Sequence, residues 1–319
     1  MKRKVIRVCF LWICAVLLSG KVAAAEWLIP VGEVIGIELS DGSVSVAAFD
    51  DALGQNAREA GLKIGDRIVS VDDHPVTCAQ DIRYALERAD GTVELEVERA
   101  GEEMELTVNP GITRDGPRLG VYLRQGITGV GTVTWYDPDS GRFGALGHGV
   151  NTASGELLVM DQGSVYEASV EGVQKGAVGA PGQLLGEVEN KTVIGSLSKN
   201  TAQGIFGTVE KQWTGDSVPV GAAHTGEAII RSTVSDDDVQ EYSVEILKIY
   251  PNTDHSNRNM LLRITDPALL ETTGGIVQGM SGSPIIQDGK LVGAVTHVLV
   301  NNPTTGYGIF IENMLDAAA

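Results

Sequence analysis

Cysteine is scarce in this 319-residue sequence, which contains three. Cys9 and Cys14 lie in an N-terminal apolar run, so Cys78 is the one cysteine left for the rest of the chain. A single cysteine cannot form an internal disulfide, and no Cys-x-x-Cys pair or zinc-ligand spacing occurs. The motif His-Glu-x-x-His is also missing, which excludes the zinc metalloproteases that depend on it. We therefore expect neither a metal ion nor another cofactor.

Positive charge is scarce as well. The chain has 24 Lys and Arg against 42 Asp and Glu, a formal net charge of −18. A nucleic-acid-binding protein needs a basic face that displaces counterions, so nucleic acid is excluded as a partner. Hydrophobic residues make up 43% of the chain, which is too many for a disordered polyanion.

Glycine, in contrast, is abundant, with 40 residues and no Gly-X-Y period. Short runs of alternating apolar residues recur between turn residues such as Asp-Pro-Asp-Ser-Gly. This pattern predicts a mainly β protein with many tight turns, and the length suits two domains.

The first 25 residues have the organisation of a secretory signal. Four basic residues precede an apolar run from Val8 to Gly20, which is too short to cross the ~30 Å hydrocarbon core of a membrane. The small residues Ala23 to Ala25 follow, as a signal peptidase requires. We expect a cleaved signal peptide, with an uncleaved N-terminal membrane segment as the alternative. Either interpretation places the folded chain outside the cytoplasm.

Residues 30–109 are predicted to form an α+β domain, residues 110–120 a linker and residues 121–319 a β-barrel or β-sandwich domain. The run Ala60 to Ile68 resembles the stretch Ala-Gly-Leu-x-x-Gly-Asp-x-Ile of bacterial PDZ domains. A PDZ domain binds an extended peptide at the edge of its sheet. The residues that this resemblance assigns to peptide binding are Ile35, Gly36 and Ile37 in the carboxylate loop, and Ile82 and Leu86 on the facing helix.

The run Gly279 to Pro284 carries the strongest chemical signal. Its sequence, Gly-Met-Ser-Gly-Ser-Pro, resembles the nucleophile loop of chymotrypsin-like serine peptidases. A tight turn there lets the N–H groups of Gly279 and Ser281 converge as an oxyanion hole beside the Ser281 hydroxyl. The α/β-hydrolase elbow Gly-x-Ser-x-Gly does not fit, because Ser283 occupies its last position.

A serine nucleophile needs a base, and the chain has five histidines. His148 follows an apolar strand and lies between glycines, which favours it over His74, His224 and His255, in turn or loop sequence. The residues after the nucleophile loop predict a strand that lines the substrate pocket. This pocket is assigned to Thr296, His297 and Val298. Spacing alone leaves the acid open among Asp266, Asp161, Asp137 and Asp139.

The order of the domains and the long C-terminal run indicate which family of serine peptidases the chain resembles. The chain closely resembles the stage IV sporulation protein B peptidases of endospore-forming bacteria in five segments, Gly144 to Gly149, Ile264 to Leu270, Thr273 to Pro284, Gly293 to Asn301 and Gly306 to Glu312. One departure is Asn301-Asn302, where the family pattern has Asn-Asp. The resemblance implies a PDZ domain followed by a chymotrypsin-like double β-barrel, with a triad of His148, Asp266 and Ser281.

The family's role is implied by the same resemblance. Such a peptidase is secreted across the forespore membrane into the space between the two spore membranes. There it cleaves an extracytoplasmic segment of a membrane-bound regulator, which releases intramembrane processing of a mother-cell sigma factor precursor. It also cleaves itself. The expected partners are therefore the membrane-bound substrate, a second copy of the chain and a PDZ ligand peptide.

Two other interpretations remain open on the sequence. An inactive PDZ scaffold that binds chain termini is disfavoured because serine, histidine and the oxyanion glycines are all present. A tail-specific protease with a Ser-Lys dyad would make a lysine essential in place of His148.

Overall fold

A computed structural model describes residues 27–152, 155–235, 238–250 and 257–319, without the side chains of residues 189–191. The predicted signal segment and His255 lie outside these residues. The strands are β1 Trp27–Pro30, β2 Val34–Phe49, β3 Arg67–Val71, β4 His74–Pro75, β5 Val93–Arg99, β6 Glu102–Val108, β7 Gly111–Thr113, β8 Gly116–Arg118, β9 Val121–Tyr136, β10 Arg142–Ala145, β11 Gln162–Gln174, β12 Gln183–Thr201, β13 Gly204–Val209, β14 Val218–Pro219, β15 Gly226–Thr233, β16 Val239–Ile249, β17 Met260–Ile264, β18 Pro284–Gln287, β19 Lys290–Leu299 and β20 Asn302–Phe310. The helices are α1 Gln55–Glu59, α2 Ala79–Arg88, α3 Pro267–Thr273 and α4 Ile311–Ala318. Among the described residues no helix is both long and apolar enough to cross a membrane.

Two closed six-stranded barrels form most of the molecule. Barrel 1 is a ring in which β2, β9, β10, β13, β12 and β11 pair in turn and β11 returns to β2. Barrel 2 consists of β15, β16, β17, β20, β19 and β18. Closure leaves no free edge within each ring. The predicted mainly β fold with a double barrel is confirmed.

Alternating apolar residues fill each barrel. Ile35, Val133, Phe143 and Ile205 lie in the core of barrel 1. Barrel 2 is filled by a separate cluster that includes Ile230 and Leu262. Helix α4 buries Ile311 and Met314 against both barrels, next to Trp135 and Ala294. The helix thereby covers the seam between the two barrels. Its stability comes from this packing rather than from helix propensity.

The PDZ domain is inserted into barrel 1 rather than placed before it. Residues 34–39 of β2 pair with residues 127–132 of β9 inside the barrel, and residues 44–49 pair with residues 121–125 beyond it. The ladder is interrupted between Leu39 and Val44, around Gly42. The chain continues forward through this irregularity, so Val34 to Phe49 form one strand.

Two predicted boundaries therefore change. Residues 34–39 belong to the peptidase barrel, so the PDZ domain does not begin at residue 30. The predicted linker at residues 110–120 contains the hairpin of β7 and β8, and β8 packs against α2 of the PDZ domain. Glycine and proline there mark a tight hairpin, which composition alone does not distinguish from a flexible connection.

Candidate active site

Two consecutive turns build the loop that carries Ser281. The Met280 N–H donates to the Val277 carbonyl at 3.2 Å, and the Ser283 N–H donates to the Met280 carbonyl at 3.0 Å. The third position of each turn is a glycine with positive φ, +98° at Gly279 and +99° at Gly282. Only glycine adopts this conformation without strain. A Cβ at Gly282 would also lie 2.0 Å from the Thr132 carbonyl oxygen, so both glycines are required by the backbone.

The same turns orient two free N–H groups. The Gln278 carbonyl accepts from the Leu184 N–H at 2.8 Å, and the Met280 carbonyl is occupied by Ser283. In a trans peptide the N–H points opposite to the carbonyl, so the N–H groups of Gly279 and Ser281 face away from these partners. Within the described part of the chain neither donates to a protein acceptor. This arrangement suits the predicted oxyanion hole, in which two N–H groups wait for a developing negative charge.

The Ser281 side chain is only partly buried. Its Oγ donates to the Thr296 carbonyl of β19 at 2.8 Å. Ser283, in contrast, is fully buried and donates to the Ser232 hydroxyl at 3.1 Å. Of the two serines in the motif, Ser281 is thus the one available to react.

His148 follows β10 after a left-handed turn at Leu146 and Gly147. The turn is pressed against β19, since a Cβ at Gly147 would lie 2.9 Å from the Thr296 side chain. Thr296 also holds the Ser281 hydroxyl, so the structure brings the predicted base and nucleophile to the same residue. The sequence element predicted as the base is therefore positioned beside the nucleophile loop.

A backbone carbonyl selects the tautomer of His148. Nδ1 of its ring lies 2.9 Å from the Gly149 carbonyl oxygen, which can only accept a hydrogen bond. The proton therefore sits on Nδ1, and Nε2 keeps the lone pair that a general base needs. Burial lowers the pKa of His148 below its ordinary value of 6.5, and the Gly149 carbonyl partly opposes this shift. The imidazole is consequently neutral, and able to accept a proton, at neutral pH.

Asp266 does not lie beside His148. It is the N-cap of α3, where its carboxylate accepts from the N–H groups of Ala268 at 3.0 Å and Leu269 at 3.1 Å. Thr296 contacts the Asn257 carbonyl at one end of β17, whereas Asp266 follows the other end. A five-residue strand spans about 17 Å, so the structure does not form the expected contact between Asp266 and His148.

The other acidic candidates do not contact His148 either. Asp137 accepts from Ser140 and the Asp139 N–H in the turn between β9 and β10. Asp161 is exposed and lies near Gly42. Among the described residues no carboxylate forms a hydrogen bond or ion pair with His148. Spacing in the sequence could not resolve the acid, and the described geometry provides no alternative to Asp266.

The neighbour of the His148 ring is His297. The two ring centres are 5.5 Å apart with an angle of 45° between the planes. Burial, then His148 and Arg258, lower the pKa of His297 to about 4, so this ring is neutral near pH 7. Its Nδ1 is buried without a hydrogen-bond partner among the described residues.

The three residues predicted for the substrate pocket have different surroundings. The Thr296 side chain is buried and donates to the Asn257 carbonyl, and Val298 packs against the core of barrel 2. His297 is the one whose side chain reaches the ring of His148. Two further histidines lie elsewhere, with His224 paired to Asp288 at 2.8 Å and His74 bonded to the Asp72 carbonyl.

The carboxylate loop of the PDZ domain was assigned to the wrong segment. Gly36 pairs with Tyr166 on one side and Val130 on the other, inside barrel 1. Ile35 and Ile37 are buried in that barrel's core. Because both edges of this segment are occupied, no peptide can add to Ile35, Gly36 and Ile37.

The PDZ groove lies between α2 and the first residues of β9. Ile82 and Leu86 line it, as the sequence predicted. The opposite wall comes from Leu119, Gly120 and residues 121–123. Residues 121–125 pair with β2 on one side, and within the described chain their other edge is unpaired. The sequence reasoning missed Leu119-Gly120-Val121 because the surrounding glycines and prolines had been interpreted as a linker.

Among the described residues, no group of three or more His, Cys, Asp or Glu side chains could hold a metal ion. The groups gathered around Ser281 are instead a hydroxyl, a neutral imidazole and two free N–H groups, the components of a serine peptidase.

Comparison with known families agrees with this class. The family model of SpoIVB peptidase S55 matches residues 115–315, and a PDZ domain model matches residues 52–99. The protein is a serine endopeptidase with a PDZ domain, and the chain belongs to the SpoIVB peptidase S55 family.

The curated relatives match only part of the chain. A putative zinc metalloprotease of Agrobacterium fabrum is 39% identical over 88 residues, which are 27% of this chain and 22% of that protein. One from Rhizobium meliloti is 29% identical over 124 residues, covering 39% of this chain and 31% of the relative. The chain thus spans less than a third of these relatives, and it lacks the His-Glu-x-x-His motif.

Solved structures with a similar course include the Rv3671c protease from M. tuberculosis in its active form. It has a TM-score of 0.36 and 13% identity, covering 60% of this chain and 75% of that one. The HtrA-type protease AlgW with a decapeptide has a TM-score of 0.36 and 12% identity, covering 64% of this chain and 56% of that one.

Proposed function

We propose that this serine peptidase is a secreted signalling protease of sporulation. Its substrate is an extracytoplasmic segment of a membrane-bound regulator, and cleavage releases intramembrane processing of a mother-cell sigma factor precursor. Membership of the SpoIVB peptidase S55 family, together with the Ser281 loop, is the observation that supports this role. The chain works outside the cytoplasm, in the space between the two spore membranes, and also cleaves itself.

The proposed reaction begins when the Ser281 hydroxyl leaves the Thr296 carbonyl and donates its proton to Nε2 of His148. The serine oxygen then bonds to the substrate carbonyl carbon, and the carbonyl oxygen becomes an oxyanion held by the N–H groups of Gly279 and Ser281. The proton on His148 passes to the departing amine. Water then hydrolyses the acyl-enzyme by the same route, with His148 again as the base.

We assign recognition of the target to the PDZ groove. An extended peptide would pair with the unpaired edge at residues 121–125 and place an apolar side chain against Ile82 and Leu86. Residues 315–319 are an unfavourable ligand for the groove in this conformation. Helix α4 is packed between the barrels, and Lys199 Nζ contacts the terminal carbonyls of Ala317 and Ala318.

A matched pair of tyrosines tests the groove. Tyr122 lines it and is 59% exposed, whereas Tyr84 is 52% exposed on α2 and does not line it. Tyr122→Ala should slow cleavage of the membrane-bound target several-fold and leave hydrolysis of a short peptide unchanged. Tyr84→Ala should change neither rate. Equal rates for Tyr122→Ala and wild type on the target would remove the groove from recognition.

The signalling role itself is tested by replacing the chromosomal copy with Ser281→Ala in the source organism. We expect the variant to accumulate to normal levels, to remain uncut, and to leave the sigma factor precursor unprocessed. Wild-type chain supplied in the forespore should restore processing. Normal precursor processing with Ser281→Ala would refute the proposed role, even if the purified wild-type protein is a peptidase.

A further inference from the structure

One strand of barrel 1 clamps the nucleophile loop of barrel 2. The Thr132 hydroxyl donates to the Gly279 carbonyl at 2.7 Å, and the Thr134 hydroxyl donates to the Gly282 carbonyl at 2.7 Å. The Thr132 N–H also donates to the Ser281 carbonyl at 3.1 Å. Both threonine side chains are fully buried, so water cannot take the place of either hydroxyl.

The hydrogen bond from the Thr132 hydroxyl holds the backbone of Gly279, whose position determines the geometry of the oxyanion hole. Gly279 supplies one of the two oxyanion N–H groups, yet it lacks a side chain and has positive φ, so its two flanking peptide planes rotate easily. The Gln278–Gly279 plane is anchored by the Leu184 N–H. The Gly279–Met280 plane is anchored on its carbonyl side by the Thr132 hydroxyl. Without this hydroxyl, the carbonyl of Gly279 would lose its described side-chain partner.

Thr132 also reaches the histidine side of the site. Its own carbonyl accepts the Leu146 N–H at 3.2 Å, two residues before His148. The backbone bonds of Thr132 therefore tie the two loops together, and they survive any change of its side chain. The hydroxyl adds a separate bond that only the side chain supplies.

We propose that Thr132 is a positioning residue that acts through Gly279, holding its N–H toward the substrate oxygen as negative charge develops. Thr132 does not touch the substrate. The proposal deepens the peptidase chemistry described above and rests on it.

The effect should appear in the chemical step. Removing an oxyanion-hole donor costs about 10²–10³ in kcat. A displaced donor retains part of its effect, so we expect Thr132→Val to lower kcat about 10- to 100-fold on a short peptide substrate. KM should stay within about twofold, since the oxyanion forms only in the transition state.

The test compares four full-length variants with wild type, by kcat, KM and inhibition by a peptidyl boronate that mimics the tetrahedral intermediate. Thr132→Val removes the hydroxyl and keeps the shape, while Thr132→Ser restores the hydroxyl. Thr134→Val is the matched control, because its bond goes to Gly282, whose carbonyl is not next to an oxyanion N–H. Thr132→Ala paired with Thr132→Ser decides the matter if Thr132→Val does not fold.

We expect Thr132→Val, or Thr132→Ala in its place, to lose kcat and boronate affinity in proportion, with recovery in Thr132→Ser. Thr134→Val should lose much less kcat than Thr132→Val, because its bond goes to a carbonyl that is not next to an oxyanion N–H. Wild-type kcat in folded Thr132→Val and Thr132→Ala, failure of Thr132→Ser to recover, or an equal loss in Thr134→Val would overturn the proposal. Absence of turnover by wild type would instead refute the peptidase chemistry.

Discussion

The loop that carries Ser281 and the loop that carries His148 come from different barrels, and they are held in different ways. The nucleophile loop is bound by β12 at Gln278, by β9 at Gly279 and Ser281, and by β19 at Gly282. Among the described residues, the His148 ring has one hydrogen bond, to the carbonyl of the next residue, and a contact with a neutral imidazole.

This difference separates two parts of catalysis, stabilisation of the oxyanion and transfer of the proton. The oxyanion hole is built before substrate arrives, so it requires no reorganisation when charge develops. The base has its tautomer selected, but no carboxylate of the described residues pairs with its imidazolium form. Stabilisation of the transition state therefore rests mainly on the Ser281 side, and proton transfer is the more easily perturbed part.

The largest expected effect on activity comes from a substitution in the loop that carries Ser281. Gly282→Ala adds a methyl group 2.0 Å from the Thr132 carbonyl oxygen at a φ of +99°, so the loop must move. We expect kcat/KM to fall at least 10²-fold, since the oxyanion N–H groups move with it. Kinetics on a short peptide measure this loss.

Gly289→Ala is the control for backbone strain alone. Gly289 has a φ of +71° in the turn between β18 and β19, with open space around it. This variant should lose about 1–2 kcal/mol of stability and keep its kcat. If Gly282→Ala is as active as Gly289→Ala, the loop is not preformed as described.

The pH dependence of kcat/KM tests the part of the site that contains His148. Catalysis needs neutral His148, and burial lowers its pKa below 6.5, so kcat/KM should reach half its maximum below pH 6.5. Below that point the rate should fall about tenfold per pH unit, with no second inflection from His297, which is neutral down to about pH 4. Half-maximal activity above pH 7 would mean that an anion pairs with His148 in the working enzyme.

The stability of the folded chain should depend on the protonation of His148 and His297. Both histidines have folded-state pKa values below the unfolded value of 6.5, so the unfolded chain binds more protons under acid conditions. Their contribution is present above pH 6.5 and is lost as the pH falls toward 4. Thermal melts of His297→Gln against wild type should show a smaller loss of Tm in the variant between these pH values. Parallel curves would exclude His297 as a contributor.

The smallest effect is expected at Asp266. Asn also caps helices well, so Asp266→Asn should keep Tm and stay within about tenfold of wild-type kcat, whereas Asp266→Ala should lose about 1 kcal/mol. A loss of roughly 10⁴ in kcat for folded Asp266→Asn is the expectation for a triad acid. That result would show that the carboxylate reaches His148 in the working enzyme, contrary to its position as the N-cap of α3.

The sequence predicted the parts of the site that depend on local chemistry. Gly279 and Gly282 are needed by turns within their own segment, and the glycines around His148 mark the end of its strand, so motif and conformation coincide. Asp266 is different, because its role depends on which end of a distant strand faces His148. Local sequence contains no information on that geometry.

The same limit explains the PDZ errors. Ile35 lies in a strand whose partners, β9 and β11, are about 90 to 130 residues further along the chain. Alternation specifies a strand but not the sheet that it joins. The insertion of the PDZ domain between two strands of one barrel is likewise a property of long-range pairing.

The most direct test of a preformed Ser281 site is reaction of the full-length chain with a fluorophosphonate, followed by mass-spectrometric mapping of the adduct. The structure predicts one adduct, on Ser281, with none on buried Ser283. Labelling should disappear in Ser281→Ala and become slower by orders of magnitude in His148→Ala. Labelling at another serine, or an unchanged labelling rate in His148→Ala, would contradict the account.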